Sequence, residues 1–152
     1  MTTSLEDFIN ELPYTSPFLF VDELFELSEN GVRGSYTYRK DAFFYKGHFK
    51  NNPVTPGVIL TETMAQIGVV CLGIYLLKKQ AQLPTAPKIA LTSHQIDFYI
   101  PVFPGEKVTV ISKKEYFRFN KLKCTVQLFN DKNELVCKGT IAGMLISKNN
   151  ET

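Results

Sequence analysis

The amino-acid sequence predicts an α+β fold in which a curved antiparallel β-sheet wraps around a long central helix. Two patterns carry that expectation. From Pro56 to about Gln80, apolar residues recur at helical spacings, at Val58, Leu60, Met64, Ile67, Cys71, Ile74 and Leu77, with no further proline in the run. From Lys88 onward, four β-prone stretches follow one another, punctuated by proline, glycine and asparagine turn signals. A helix apolar on nearly every face must be enclosed, and long strands supply the enclosing layer.

In chain order, Ser4 is placed to cap a first helix from Leu5 to about Leu12, with Glu6 and Asp7 in the first turn where the helix dipole favours acid, and Pro13 ends it. Phe18-Leu19-Phe20-Val21 opens a β-prone run through Leu27 to an Asn30-Gly31 turn, and Val32 to Tyr38 returns as the second arm of a hairpin. The Pro56-Gly57 step starts the long helix. Pro84 and Pro87 mark its exit, and strands are expected at Ile89–Ile100, Glu106–Phe117, Lys123–Phe129 and Leu135–Ile146. The tail 148–152 is expected to fray.

With 152 residues, the chain has the size of a single domain, 1–152, and shows no repeat or linker. A net charge of +2, with bases scattered among acids, argues against nucleic acid as a partner. Cys71, Cys124 and Cys137 are odd in number, unpaired in spacing and set among apolar neighbours, which reads as buried reduced thiols in a cytoplasmic protein. The first residues lack a basic stretch followed by an apolar block, so no secretory signal is expected. The apolar run Ile67–Leu77 is shorter than the ~20 residues a membrane span needs, so no span is expected.

Chemistry concentrates between Gly47 and Gln66. His48 sits on a Pro/Gly-rich loop, and a neutral imidazole held there suits a general base. Pro56 lacks an N–H, so the first backbone donors at the helix start are Gly57 and then Val58, and Gly57 lets a carbonyl approach closely. Glu62, set among apolar helix neighbours, is expected to be partly desolvated and so raised toward a proton-donating range. Gln66 lies one turn further on the same face, where it can orient that carboxyl or a neighbouring backbone group, or serve as a satisfied buried amide. Plainer roles compete: a loop histidine is often structural, and aromatic residues in strands are usually core. Phe43, Phe44, Phe49, Phe98, Tyr99 and Phe103 are candidates for an apolar tunnel, while His94 is read as structural or exposed. No metal site is expected.

The segment Gly47-His48-Phe49-Lys50-Asn51-Asn52-Pro53-Val54-Thr55-Pro56-Gly57-Val58, running into Glu62-Thr63-Met64-Ala65-Gln66, resembles the signature of the FabZ-type 3-hydroxyacyl-acyl carrier protein dehydratases. Leu12-Pro13 with Pro17-Phe18-Leu19-Phe20-Val21-Asp22 resembles the opening strand of that family, and Asp97-Phe98 with Pro101-Val102-Phe103-Pro104-Gly105-Glu106 a later strand and turn. Lys50 stands where the family usually has Pro, Thr55 where it has Met, and Tyr14 where a His is common; these departures bear on substrate range more than on reaction.

The resemblance implies the hotdog fold and cofactor-free loss of water from an acyl chain on the phosphopantetheine of acyl carrier protein, in fatty acid or polyene-type biosynthesis. It further implies His48 as base, Glu62 as acid and composite sites across a homodimer, alone or in a trimer of dimers. Glu62 in place of Asp favours plain dehydration over added double-bond isomerisation. Lys46 and Lys50, beside His48, are the first candidates for docking an acidic carrier protein, with Arg39, Lys40, Lys113, Lys114 and Arg118 as further ones, against the plainer reading of a solvated basic face. Two other functions for the same fold are a thioesterase, which leaves His48 unexplained, and a non-catalytic acyl-binding partner subunit, which the presence of both His48 and Glu62 argues against.

Overall fold

The computed structural model describes residues 4–84 and 87–146. The expected fraying of 148–152 lies outside the described residues. Ser4 accepts a hydrogen bond from the Asp7 amide at 3.0 Å and so caps helix α1, Leu5–Asn10, which stops two residues short of the expected end. Strands β1 (Glu23–Ser28) and β2 (Gly31–Thr37) form the hairpin, with Ser28 opposite Gly31, so the turn is Glu29-Asn30, one residue earlier than expected.

Phe18–Val21 is not a strand, against expectation. Its backbone is engaged by a side chain: the Gln66 amide accepts from the Phe20 N–H at 2.8 Å and donates to the Phe18 carbonyl at 3.0 Å. Asp22 N–H then donates to the Ser35 carbonyl at 2.8 Å, and the regular strand pairing with β2 starts at Glu23.

The long helix runs Gly57–Lys79, as α2 (Gly57–Ala65), a π-helical turn over Gln66–Val70 and α3 (Cys71–Lys79). The wide turn departs from the uniform α-helix expected. It brings Gly68 so close to the sheet that a Cβ there would lie 2.9 Å from Val126 Cγ1, and Ser112 Oγ donates to the Gly68 carbonyl at 2.9 Å. The helix, at 23 residues, is long and apolar enough to cross a bilayer, so the expectation that its apolar run is too short does not hold; 83% of its apolar stretch is nevertheless buried within the fold. Enclosure in the core accounts for its composition.

Strands β3 (Lys88–Phe98), β4 (Lys107–Arg118), β5 (Lys121–Phe129) and β6 (Leu135–Ile146) complete one antiparallel sheet in the order β1-β2-β4-β5-β6-β3. The middle of the helix touches β2, β4, β5 and β6, as a curved sheet wrapped around it requires. Ile67, Leu72 and Ile74 from the helix meet Val110, Val126 and Ile141 from the sheet in the core, all fully enclosed. The three cysteines are buried free thiols.

Strand β3 stands apart. Among the described strands it pairs only with β6, leaving its outer edge from Ile89 to Phe98 without a strand partner among the described residues, and most of its residues are exposed. His94 is among them.

Candidate active site

The His48 loop is closed by its own backbone. Val54 N–H donates to the His48 carbonyl at 2.8 Å, Phe49 and Asn52 exchange bonds of 2.9 and 3.0 Å, and Thr55 N–H reaches the Val102 carbonyl at 2.8 Å. The Tyr45 and Thr55 hydroxyls bond beneath it. A cis peptide joins His48 to Phe49, and the two rings stack at 4.0 Å. His48 Nδ1 lies 2.9 Å from the Val54 carbonyl. A carbonyl can only accept, so the neutral ring carries its proton on Nδ1, and Nε2 keeps the free lone pair.

Directly after this loop, Pro56 precedes helix α2 with no side chain capping it. The first backbone bond of the helix is Ile59 N–H to the Pro56 carbonyl at 2.9 Å, which leaves the Gly57 and Val58 amides as donors without a helical partner. His48, Gly57, Leu60, Phe98 and Tyr99 line one open cavity of about 340 Å³. A Cβ on Gly57 would sit 3.3 Å from the Phe98 ring, so the close approach at this position depends on glycine. The base candidate and the free amides therefore share one cavity.

Glu62 is elsewhere. It does not line that cavity, and its Oε2 accepts from Gln66 Nε2 at 3.0 Å, tying it to the Phe18–Phe20 segment. At about 100° per residue, Glu62 points well away from both Gly57 and Leu60 around the helix axis. Burial raises its carboxyl above the ordinary range, and the Gln66 bond partly offsets that. Gln66 is fully buried. Gln66 thus bonds both to the Glu62 carboxyl and to backbone groups, and the sequence did not reveal that these belong to Phe18 and Phe20.

Tyr14, singled out in the sequence only as a departure from the family motif, lies near enough to Glu62 to feel its charge. It packs against the core, and burial together with the nearby Glu62 charge pushes its phenol up to about 12. Among the tunnel candidates, Phe98 and Tyr99 line the His48 cavity while Phe49 stacks on His48 with 55% of its surface exposed. Phe103 lines a separate depression with Glu106 and Asn130. Phe43 and Phe44 line a larger depression of about 790 Å³ beside Phe20 and Tyr36 that neither His48 nor Glu62 reaches. Lys46 and Lys50 are exposed on the His48 loop. Among the described residues, no group of three or more His, Cys, Asp or Glu gathers in a metal-binding arrangement.

A six-stranded antiparallel sheet wrapped on one long helix defines the hotdog class. Among solved structures, the chain is similar to the dehydratase heterocomplex ApeI:P from Xenorhabdus doucetiae, with a TM-score of 0.79, 14% identity and 93% of each chain covered. It is also similar to a thioesterase from Haemophilus influenzae, with a TM-score of 0.64, 17% identity and 97% of this chain and 93% of that one covered. The FabA-like domain matches residues 12–140. The 3-hydroxyacyl-[acyl-carrier-protein] dehydratase FabZ of Caldicellulosiruptor saccharolyticus is 33% identical over 86% of this chain and 89% of its own. The chain also matches 29% of the length of the bifunctional enzyme LpxC/FabZ of Chlorobaculum tepidum, at 30% identity over 93% of its own length. The protein belongs to the FabA-like family of hotdog-fold dehydratases, on the FabZ side of it.

Proposed function

We propose that the protein removes water from a 3-hydroxyacyl chain carried on acyl carrier protein, giving the trans-2-enoyl thioester. The observation that carries this reading is the cavity in which His48, its Nδ1 held by the Val54 carbonyl, stands beside the free Gly57 amide. His48 Nε2 takes the Cα proton, and the Gly57 amide, with Val58 next to it, donates to the thioester oxygen as negative charge develops there. The Cβ–O bond breaks as Glu62 gives its proton to the departing hydroxyl, releasing water. Burial of Glu62 supports the acid role, because it favours the protonated form. The reading needs no metal or organic cofactor.

Because Glu62 does not line the His48 cavity, we assign the two groups of each working site to different chains of a homodimer. The unpaired edge of β3 supports this arrangement. An antiparallel pairing of two β3 edges generates a two-fold axis, and such an axis can place one chain's Glu62 opposite the other's His48. Such dimers can assemble further as a trimer of dimers. The carrier protein docks on Lys46 and Lys50, in a cytoplasmic setting without a membrane span or nucleic acid. Fatty acid and polyene-type pathways are separated by the acyl chains accepted.

Mass spectrometry of 3-hydroxyacyl carrier proteins of several lengths after incubation with the protein tests the reading. Loss of one water from the intact thioester is expected. Release of free acid and a bare carrier thiol indicates a thioesterase instead, and binding without any mass change indicates a non-catalytic subunit.

A further inference from the structure

The β4–β5 hairpin concentrates charge that the rest of the chain lacks. Residues 113–123 carry five cations, Lys113, Lys114, Arg118, Lys121 and Lys123, against the single carboxylate of Glu115. That stretch is therefore net +4 in a chain of net +2, which leaves the remainder net −2. None of the five cations forms an ion pair among the described residues. Across the hairpin, Arg118 stands opposite Lys121 and Tyr116 opposite Lys123, while Lys121 faces Met144 on β6. Leu122 between them is buried, so strand alternation places these residues on the sheet face turned away from the helix. Arg118 lies over the Tyr116 ring at 4.7 Å.

At the tip, Phe119 and Asn120 form a two-residue turn with φ of +52° and +62°. Asparagine suits that left-handed conformation, but a bulky aromatic residue does not. Phe119 recovers nothing by packing, since 91% of its surface is exposed. It is an aromatic side chain held out from the molecule at conformational cost, at the tip of a hairpin whose five cations form no ion pair among the described residues. The hairpin also lies far from the His48 cavity. Gly57 at the helix start packs against Phe98, whereas Gly73 packs against Leu122 beside the tip, roughly 24 Å further along a helix rising about 1.5 Å per residue.

We propose that this hairpin docks the protein on an anionic lipid surface, with Phe119 entering the boundary between headgroups and acyl chains and Arg118, Lys121 and Lys123 meeting lipid phosphates. An acidic protein is the competing partner. The geometry favours the membrane, because one protruding ring among long flexible cations presents no flat face for a rigid partner, whereas a bilayer interface admits a single aromatic residue and accepts cations at any lateral position. An apolar insertion combined with a basic cluster is also the pairing of signals that reversible membrane attachment requires.

The chain contains no tryptophan, so F119W supplies a unique fluorophore at the tip. Its emission is expected to shift to the blue, and to be quenched by brominated acyl chains, with phosphatidylcholine vesicles containing ~30% phosphatidylglycerol but not with phosphatidylcholine alone. In co-sedimentation with the same anionic vesicles, the K121E/K123E double variant should bind about 25-fold or more weakly, since each cation lost near such a surface is worth roughly fivefold in affinity and charge reversal adds repulsion. F119A should bind several-fold more weakly. Circular dichroism and turnover of a soluble substrate should be unchanged in these variants. Failure of the wild-type chain to sediment with anionic vesicles at low salt overturns the proposal, as does sedimentation with unchanged F119W emission. Retention by an acidic protein through this hairpin without vesicle binding overturns it in favour of a protein partner.

Discussion

Gln66 Nε2 stands 3.0 Å from Glu62 Oε2 and 3.0 Å from the Phe18 carbonyl, while its Oε1 accepts from the Phe20 N–H at 2.8 Å, so one buried amide fixes both the acid and the opening segment of the chain. Replacing it should therefore show two effects. In Gln66→Ala the backbone groups of Phe18 and Phe20 lose their partner inside the fold, at a cost of about 1–3 kcal/mol in urea unfolding. The bond that lowers the Glu62 pKa also disappears, so the alkaline limb of the kcat profile should move to higher pH. A loss of stability with an unmoved limb would reduce Gln66 to a structural amide.

Stability should depend on Glu62 with a definite sign. Burial raises its folded-state pKa above the unfolded value, so the folded chain holds the proton more tightly and loses stability as pH rises from the ordinary value of 4.5 through the folded one. Glu62→Gln, which is never charged, should melt at a higher temperature than wild type at pH 7. The advantage should vanish below pH 4.5, where wild type is protonated in both states. Melting curves across that window check the sign, and equal melting temperatures at pH 7 would contradict the burial argument.

The elements that the sequence predicted well are those whose pattern is local. Strand β6 fell on Leu135–Ile146 as expected, and the helix start at Gly57 followed from the Pro-Gly step. Phe18–Val21 misled because its apolar, β-prone residues take their hydrogen bonds from Gln66, 46 residues away for Phe20, a partner that no local pattern encodes. The π-helical turn at Gln66–Val70 was hidden for a similar reason, since it depends on the fit of Gly68 against Val126 and Ser112 across the core. At the site, motif spacing singled out His48, Gly57 and Glu62. Spacing cannot reveal the side of the helix from which a partner is reached, and that is where Glu62 and Tyr14 required the structure.

Tyr14 gives a direct test of the electrostatics around the acid. Burial and the Glu62 charge hold its phenol neutral, with a pKa near 12, so it contributes no charge at working pH. Tyr14→His introduces a group that can become positive beside Glu62, and a cation there stabilises the carboxylate. The alkaline limb of the rate profile should move to lower pH, opposite to the effect of Gln66→Ala, while Tyr14→Phe should leave it in place. An unmoved limb in Tyr14→His would place Tyr14 outside the reach of the acid.

Gly57 should be intolerant for a steric reason. With a Cβ already 3.3 Å from the Phe98 ring, Gly57→Val adds two methyl groups where the thioester must approach the amide. Its kcat/KM should fall by about 10² or more, the range seen when an oxyanion donor is lost. Unchanged steady-state kinetics in a folded Gly57→Val protein would rule out the Gly57 amide as that donor.

His48→Ala and Glu62→Ala should each lower kcat by ~10² or more without unfolding the chain, because each removes an acid or base and neither removes core volume. Their combination tests the shared site. If His48 of one chain works with Glu62 of its partner, a mixed dimer of the two variants holds one site with both substitutions and one site with neither. Random reassortment makes half of the dimers mixed, each with one working site of two, so variants unfolded and refolded together should recover about a quarter of wild-type activity per chain. Each variant refolded alone should remain inactive. Verified mixed dimers without recovery would mean that His48 and Glu62 act within one chain, which would require Glu62 to leave Gln66 and reach the Gly57 side of its own helix.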